Sequence, residues 1–427
     1  MDEGGSAAGP AADPRHVVET VWRMESARIV AALARIVGDL GLAEELAQDT
    51  LVIALEQWPA DGVPDHPPSW LMATARHRAV DLLRRQARYR RKLEEVGRAT
   101  PAAVEPDLAA GLDDYVGDDL LRLIFTTCHP VLSTEARVAL TLRLLGGLST
   151  AEIARAYLAT ESTVGQRITR AKRILAERRI PIELPPPAEA AARLASVLEV
   201  IYLIFNEGYA ATAGDEWMRP TLCGEALRLG RILAGLAPHE PEVHGLVALM
   251  EIQASRTAAR TDRDGNPVLL PDQDRGRWDR LLIRRGLASL DRAAGTLGPY
   301  VLQAEIAACH ARAATAADTD WDRIATLYAV LAHVSPSPVV ELNRAVAVGN
   351  AYGPQRALPI VDGLDLPGYA LLPAVRGDLL ARLGRVAQAR REFERAAALT
   401  RNARERELFV ARAAALGRTP PRSGQRS

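Results

Sequence analysis

Basic side chains recur on one face of the segment between residues 149 and 180. Val164, Ile168 and Leu175 are spaced so that they share one face of a helix, which leaves the opposite face to polar and charged residues. Arg and Lys bind phosphates and guanine edges, and Gln can pair with adenine. The side chains predicted on that opposite face are Gln166, Arg167, Arg170, Lys172 and Arg173.

A shorter helix is predicted just before this one. It begins after Ser149, buries Ile153 and Ala154, and ends in the turn "LATES", where Leu158 stands at a place that is often glycine. This is the spacing of a helix-turn-helix, whose second helix lies in the major groove of DNA. The alternative is an ordinary helix pair with a solvated basic face.

A second basic helix is predicted over residues 69–88, after the chain breaks at "PDHPPSW". Its apolar stripe consists of Trp70, Leu71, Ala75, Val80 and Leu83. Its positive charge comes from Arg76, Arg78, Arg84, Arg85, Arg88 and the nearby Arg90. A solvated helix is again the alternative. Two basic helices in separate small domains favour one extended contact with DNA, because each neutralised phosphate adds salt-dependent affinity.

The composition predicts an all-α protein. Apolar residues make up 48% of the 427 residues, aromatics only 4%, and Ala, Leu and Arg, which favour helix, are abundant. The formal net charge is zero, so the basic segments are local features. The three cysteines, Cys128, Cys223 and Cys309, are too far apart to indicate a disulfide framework. No apolar stretch approaches 18 residues, so we expect no membrane span and a cytoplasmic protein.

Proline-rich and mixed segments divide the chain. Further helices are predicted near residues 17–36 and 43–56, and "PIELPPP" at residues 181–187 marks a boundary because prolines cannot continue a helix. We predict a disordered leader (1–14), a first helical domain (15–91), a flexible linker (92–116), a helix-turn-helix domain (117–180), a domain of tetratricopeptide-like helical repeats (188–417) and a disordered tail (418–427).

One repeat is explicit near the end of the chain. Gly377, Leu380, Gly384, Ala389, Phe393 and Ala396 fall at the offsets of a tetratricopeptide repeat. The small residues let two antiparallel helices approach closely, and Phe393 is expected to fill the space between repeats. Residues 341–364 read as a second helix–turn–helix pair of similar length.

No pattern typical of catalytic or metal-binding residues is present, so we expect no enzyme activity, no metal and no cofactor. "RTDRDGNP" suggests a calcium loop, but Arg260 occupies the first ligand position, and a polar loop is the better interpretation. In "FNEGY", Asn206, Glu207 and Tyr209 could line a ligand pocket. The favoured interpretation is a polar helix end that is satisfied by local hydrogen bonds.

Taken together, the segments resemble a bacterial RNA polymerase sigma factor of the extracytoplasmic-function (ECF) type. "AEELAQDTLVIALEQWP" followed by "SWLMATARHRAVDLLRR" resembles region two, and "LSTAEIARAYLATESTVGQRITRAKRIL" resembles region four. "LIFTTCHPVLS", "YLIFNEGYAAT" and the repeat-like end resemble the subgroup with a long tetratricopeptide-like C-terminal extension.

The resemblance implies partners and residue roles. RNA polymerase core would be bound through the β′ clamp and the β flap, with Glu44, Glu45 and Asp49 docking on the clamp helices. The −10 element of promoter DNA would be engaged by Trp70, Arg76, His77, Arg78, Asp81, Arg84, Arg85 and Arg88. The −35 element would be read by Ser162, Thr163, Val164, Gln166, Arg167, Arg170, Lys172 and Arg173.

The expected function is promoter-specific initiation of transcription. The repeat domain would regulate this activity in cis or bind a protein partner. One alternative is a helix-turn-helix regulator that acts without polymerase and senses a ligand through the repeats. A second alternative is a scaffold whose basic helices are incidental.

Overall fold

The computed structural model describes residues 13–96 and 116–416, with side chains described outside residues 90–96 and 116–117. The predicted leader and linker lie largely outside this range, and the predicted tail lies wholly outside it. The chain forms two compact units, the first reaching Val200 and the second beginning at Ile201.

The prediction of an all-α protein is confirmed. The first unit contains α1 (Pro14–Val37), α2 (Leu40–Asp61), α3 (Pro67–Val96), α4 (Val116–Thr127), α5 (Thr134–Leu144), α6 (Thr150–Ala156) and α7 (Glu161–Glu177), and α8 (Pro187–Tyr209) runs across the division. The helix predicted over 69–88 is longer than expected, since α3 continues into the segment interpreted as a linker.

Local sequence signals set the helix ends in the first unit. Asp13 accepts a hydrogen bond from the backbone N–H of Arg15 at the start of α1, and Gly38 ends that helix in the left-handed conformation with φ 70°. Ser149 and Glu152 form a reciprocal capping box at the start of α6, which satisfies two otherwise unpaired N–H groups. The predicted start of this helix after Ser149 is therefore confirmed.

Helix α1 lies at the centre of the first unit and packs against α2, α3 and α4. Its middle is rich in alanine, and Ala31, Ala32 and Ala34 are at most 2% exposed, which lets the neighbouring helices approach closely. Trp58 of α2 is buried and meets Trp70 of α3 edge-on, with ring centroids 5.6 Å apart. This contact fixes α3, which carries one of the two basic faces, against the core.

The first turns of α8 belong to the first unit. Arg137 on α5 is 8% exposed and donates hydrogen bonds to Ser196 at 2.5 Å and Glu199 at 3.0 Å. Arg193 donates to the backbone carbonyl of Phe125 at 2.9 Å. The second unit begins at Ile201, thirteen residues after the start at 188 that we predicted for the repeat domain.

The second unit is a succession of helices that each pack against a chain neighbour. They are α9 (Pro220–Leu236), α10 (Pro241–Ala254), α11 (Arg280–Arg292), α12 (Pro299–Arg312), α13 (Trp321–Val334), α14 (Pro338–Ala351), α15 (Pro354–Asp362), α16 (Leu371–Arg382), α17 (Val386–Leu399) and α18 (Ala403–Ala415). Two short strands, β1 (Ala213–Gly214) and β2 (Arg401–Asn402), pair in parallel, with Ala213 opposite Arg401 and Gly214 opposite Asn402.

The predicted repeat over residues 377–399 is confirmed as the antiparallel pair α16 and α17. A Cβ atom on Gly377 would lie 3.2 Å from the ring of Phe393, so glycine permits the close approach. Phe393 is 1% exposed, and Gly384 makes the turn with φ 73°. The second predicted pair is also present, as α14 and α15.

Candidate nucleic-acid and polymerase interface

Helices α6 and α7 form the predicted helix-turn-helix. Ile153 and Ala154 of α6 and Ile168 of α7 are buried, and the side chain of Thr160 caps α7 by accepting from the N–H of Thr163 at 3.1 Å. Leu158 stands in the turn with φ 48°, in the left-handed region that favours glycine. The residue that departs from the usual turn sequence therefore carries backbone strain.

The outer face of α7 is basic and exposed. Its exposed members from the predicted −35 set are Ser162, Gln166, Arg167, Arg170 and Arg173. Val164 is the exception, because its side chain is 1% exposed and lies in the core, where it packs inside the domain and offers no surface to DNA. Thr163 and Lys172 are half-buried. The exposed guanidiniums can reach phosphates or base edges without rearrangement.

Helix α3 carries the second predicted DNA-binding set. Its exposed members are His77, Asp81, Arg84, Arg85 and Arg88. Arg76 and Trp70 are half-buried, and Trp70 packs on Trp58. Arg78 is paired with Asp49 at 2.5 Å, so a predicted DNA contact and a predicted polymerase contact neutralise one another here. Among the side chains of α3 that the structure describes, the exposed positive charge comes mainly from Arg84, Arg85 and Arg88.

Glu44 does not have the exposure that we expected of a polymerase-binding carboxylate. It is 8% exposed, accepts a hydrogen bond from Nε of Arg143 at 2.6 Å, and pairs with Nζ of Lys172. Burial opposes its ionisation, but the hydrogen bonds and charges of Lys172 and Arg143 outweigh burial and lower the pKa of Glu44. Glu45, the next residue, is exposed as predicted. We call Glu44, Arg143 and Lys172 the Glu44 triad.

The Glu44 triad joins the two predicted DNA-binding modules. Glu44 is on α2 of the first module, while Arg143 and Lys172 are on α5 and α7 of the second. A further ion pair connects them, since Arg35 of α1 contacts Asp119 of α4 at 2.9 Å. The sequence did not reveal Arg143 or Arg35 as partners, because both pairs join residues that are far apart in the chain.

The motifs of the second unit have local structural roles. Glu207 pairs with Arg219 and accepts from the hydroxyl of Thr212 at 2.9 Å, as expected for a helix end satisfied locally. Asp262 accepts from the backbone N–H groups of Asp264 and Asn266, so this segment is a closed polar loop. The part of the chain that the structure describes contains no helix both long and apolar enough to cross a membrane.

Family comparisons match three segments of the chain. The sigma-70 region 2 family matches residues 22–89, and the sigma-70 region 4 family matches residues 122–175. A family of unknown function, DUF6596, matches residues 193–294. The first two matches contain the basic faces of α3 and α7, and the third covers the start of the second unit.

Comparison with known proteins extends the match to nearly the whole chain. An uncharacterised protein of Rhizobium meliloti is 46% identical over 88% of this chain and 90% of its own length. The probable ECF RNA polymerase sigma factor SigI of Mycobacterium tuberculosis is 28% identical over 40% of this chain and 58% of its own length. The ECF RNA polymerase sigma factor SigK of Mycobacterium bovis is 32% identical over 35% of this chain and 78% of its own length.

Among solved structures, yeast Tom70 aligns with 94% of this chain and 84% of its own length, at 12% identity and a TM-score of 0.30.

The family matches place regions 2 and 4 in the expected order, each with its basic helix, and a long helical extension follows them. The chain belongs to the sigma-70 family of RNA polymerase sigma factors, as an ECF-type member with a C-terminal extension.

Proposed function

We propose that this protein binds RNA polymerase core and directs it to promoters with −10 and −35 elements. The observation that carries the proposal is the pair of exposed arginine faces, on α3 in region 2 and on α7 in region 4. Arg84, Arg85 and Arg88 would follow the backbone of the opened −10 strand. Arg167 and Arg170 would contact the −35 duplex in its major groove.

Polymerase binding would use the acidic face of α2 and the β flap contact of region 4. Glu45 is exposed and available to a basic partner surface. Glu44 is held by Arg143 and Lys172, so it can reach polymerase only if the Glu44 triad breaks. Lys172 can reach a promoter phosphate under the same condition. Both proposed roles therefore require regions 2 and 4 to separate on binding.

The C-terminal extension would regulate this activity in cis or bind a protein partner. Supporting this role, the second unit is a separate compact body of stacked helices, an architecture that offers extended binding surfaces. Since polymerase core and promoter DNA are cytoplasmic in bacteria, we place the protein in the cytoplasm. We assign it no catalytic activity of its own.

The first test combines co-purification with core polymerase and run-off transcription from a promoter with −10 and −35 elements. We expect the full chain to bind core and to start transcripts at one defined site. Arg84→Ala with Arg85→Ala should lower the yield of transcripts, while Arg155→Ala, at an exposed arginine on α6 outside the predicted sets, should leave it unchanged. A protein that binds duplex DNA but never directs core enzyme would instead be a polymerase-independent regulator.

The second test removes the extension. The truncation belongs after Val200, because a cut at 188 would remove the partners of Arg137 within the first unit. Cis-regulation predicts a changed transcript yield or changed core affinity for residues 1–200. Equal yield and equal affinity would refute it.

A further inference from the structure

Three arginines and two aromatic rings alternate in the second unit. The guanidinium carbon of Arg260 lies 3.5 Å from the ring centroid of Tyr209, and that of Arg256 lies 5.8 Å from the same ring. Arg256 is also 6.0 Å from the ring of Trp278, which Arg275 approaches to 4.6 Å. We call these five residues the arginine–aromatic row.

None of the three arginines forms an ion pair with a carboxylate of the described residues, and they differ in what else holds them. Arg275 donates to the backbone carbonyls of His310 and Ala313, so it is held by the end of α12. Arg256 and Arg260 form no ion pair with any carboxylate of the described residues, and the Nε atom of each is buried without a hydrogen-bond partner there. Arg260 is only 8% exposed. Burying a charge is costly unless it is paired, and contact with an aromatic ring offsets only part of that cost.

The charge of Asp318 acts on Arg275, which the end of α12 already holds, and two other titratable neighbours of the row carry no negative charge at neutral pH. Burial lowers the pKa of His310 to about 4, with Arg256 and Arg275 adding to the effect, so this imidazole is neutral at pH 7. Burial raises the pKa of Tyr328 to about 12, so the phenol stays protonated. Burial is also the largest cause that lowers the pKa of Arg260. The region therefore keeps a positive potential at neutral pH.

The geometry indicates which ligand would fit. Stacking on an aromatic ring covers the flat face of a guanidinium but leaves its N–H edge accessible. That edge binds a carboxylate or a phosphate by donating two parallel hydrogen bonds. Arg260 is only 8% exposed, so the surface of a macromolecule does not reach its guanidinium, and a ligand for it has to be small. We propose that the second unit binds a small organic anion whose carboxylate or phosphate group pairs with Arg256 and Arg260.

The position of the row in the chain supports a binding role. Arg256, Arg260 and Arg275 all lie on the connection between α10 and α11, which is unusually long for a compact helical domain. Long connections of this kind are commonly functional. Tyr209, Trp278 and the three arginines also lie within residues 193–294, the segment shared with the family of unknown function.

The test uses the full chain and two probe anions, inorganic phosphate and benzoate, with sodium chloride of equal ionic strength as the blank. Thermal unfolding and tryptophan fluorescence titration report binding, since Trp278 is part of the row. We expect at least one probe to raise the melting temperature above the blank. Arg256→Gln should weaken its affinity about tenfold to hundredfold, as expected when a charged hydrogen-bond partner is lost.

The matched control is Arg263→Gln, which removes an exposed arginine from the same connection and should leave the affinity unchanged. Arg256→Lys keeps a positive charge but loses the planar fork, so it should bind with intermediate affinity and decides the test if Arg256→Gln does not fold. Binding of phosphate but not benzoate, or the reverse, supports the site and identifies its anionic group. No response to either probe, or equal affinity in Arg256→Gln, would overturn the proposal.

Discussion

The Glu44 triad gives a quantitative prediction for the contact between regions 2 and 4. Glu44→Gln keeps the size of the side chain but leaves Arg143 and Lys172 facing each other without a counter-charge. Breaking a fully buried ion pair costs about 3–5 kcal/mol. The side chains of Arg143 and Lys172 are 24% and 21% exposed, so water screens part of the loss, and we expect about 2 kcal/mol.

Amide hydrogen exchange measures this loss where it occurs. A decrease of about 2 kcal/mol in the free energy of local opening corresponds to about 30-fold faster exchange. We expect that acceleration in α2 and α7, with no change in α9 to α18. Glu45→Gln is the matched control, because Glu45 is adjacent and exposed. Exchange in Glu44→Gln within twofold of the wild type, or an equal effect in Glu45→Gln, would refute the reasoning.

The pH dependence provides an independent measure of the same ion pairs. Because the pKa of Glu44 is lowered in the folded protein, its contribution is fully present above the unfolded pKa, about 4.3 for a glutamate, and is lost as the pH falls through the folded pKa. The opening free energy of α2 and α7 should therefore decrease on acidification in this window in the wild type. In Glu44→Gln this component should be absent.

Three further predictions concern the turn, the −35 face and the start of α8. Leu158→Gly should stabilise the first unit by about 1 kcal/mol in denaturant unfolding, because Leu158 is strained and 58% exposed, and a destabilised variant would contradict this. Arg170→Ala should weaken binding to a −35 duplex and reduce the slope of log affinity against log salt by about 1, whereas an unchanged slope would mean that Arg170 touches no phosphate. Arg137→Met should speed amide exchange at the start of α8 by about tenfold, because Ser196 loses its hydrogen-bond donor. Protection equal to that of the wild type would mean that Arg137 does not hold α8 against the first unit.

Much of the local structure could be predicted from the sequence. Helix periodicity, the cap at Ser149 and the glycine-to-phenylalanine spacing of α16 and α17 all act over a few residues, so their signals lie close together in the chain. The same locality explains why the faces of Arg84 and Arg170 were predicted as exposed. Val164 is different, because the helix pattern predicted an inward side chain while the resemblance to region four implied a contact with DNA.

Other features depend on which distant residues meet. Glu44 belongs to an acidic helix start that looks exposed, and only the packing of α2 against α5 and α7 buries it beside Arg143 and Lys172. The extent of the first unit was also decided by tertiary contacts, since Arg137 holds the first turns of α8 there.

By itself, the sequence determined the helices, their basic faces and the family, because periodicity and motif order are properties of neighbouring residues. The tertiary structure decided the electrostatic environment of each charge. Arg256 appears in the sequence as one of many arginines. Only the folded structure shows it beside Tyr209 and Trp278, with no ion pair to a carboxylate of the residues described. The physical reason is that burial and charge pairing depend on distances in space, which residue spacing along a chain does not specify.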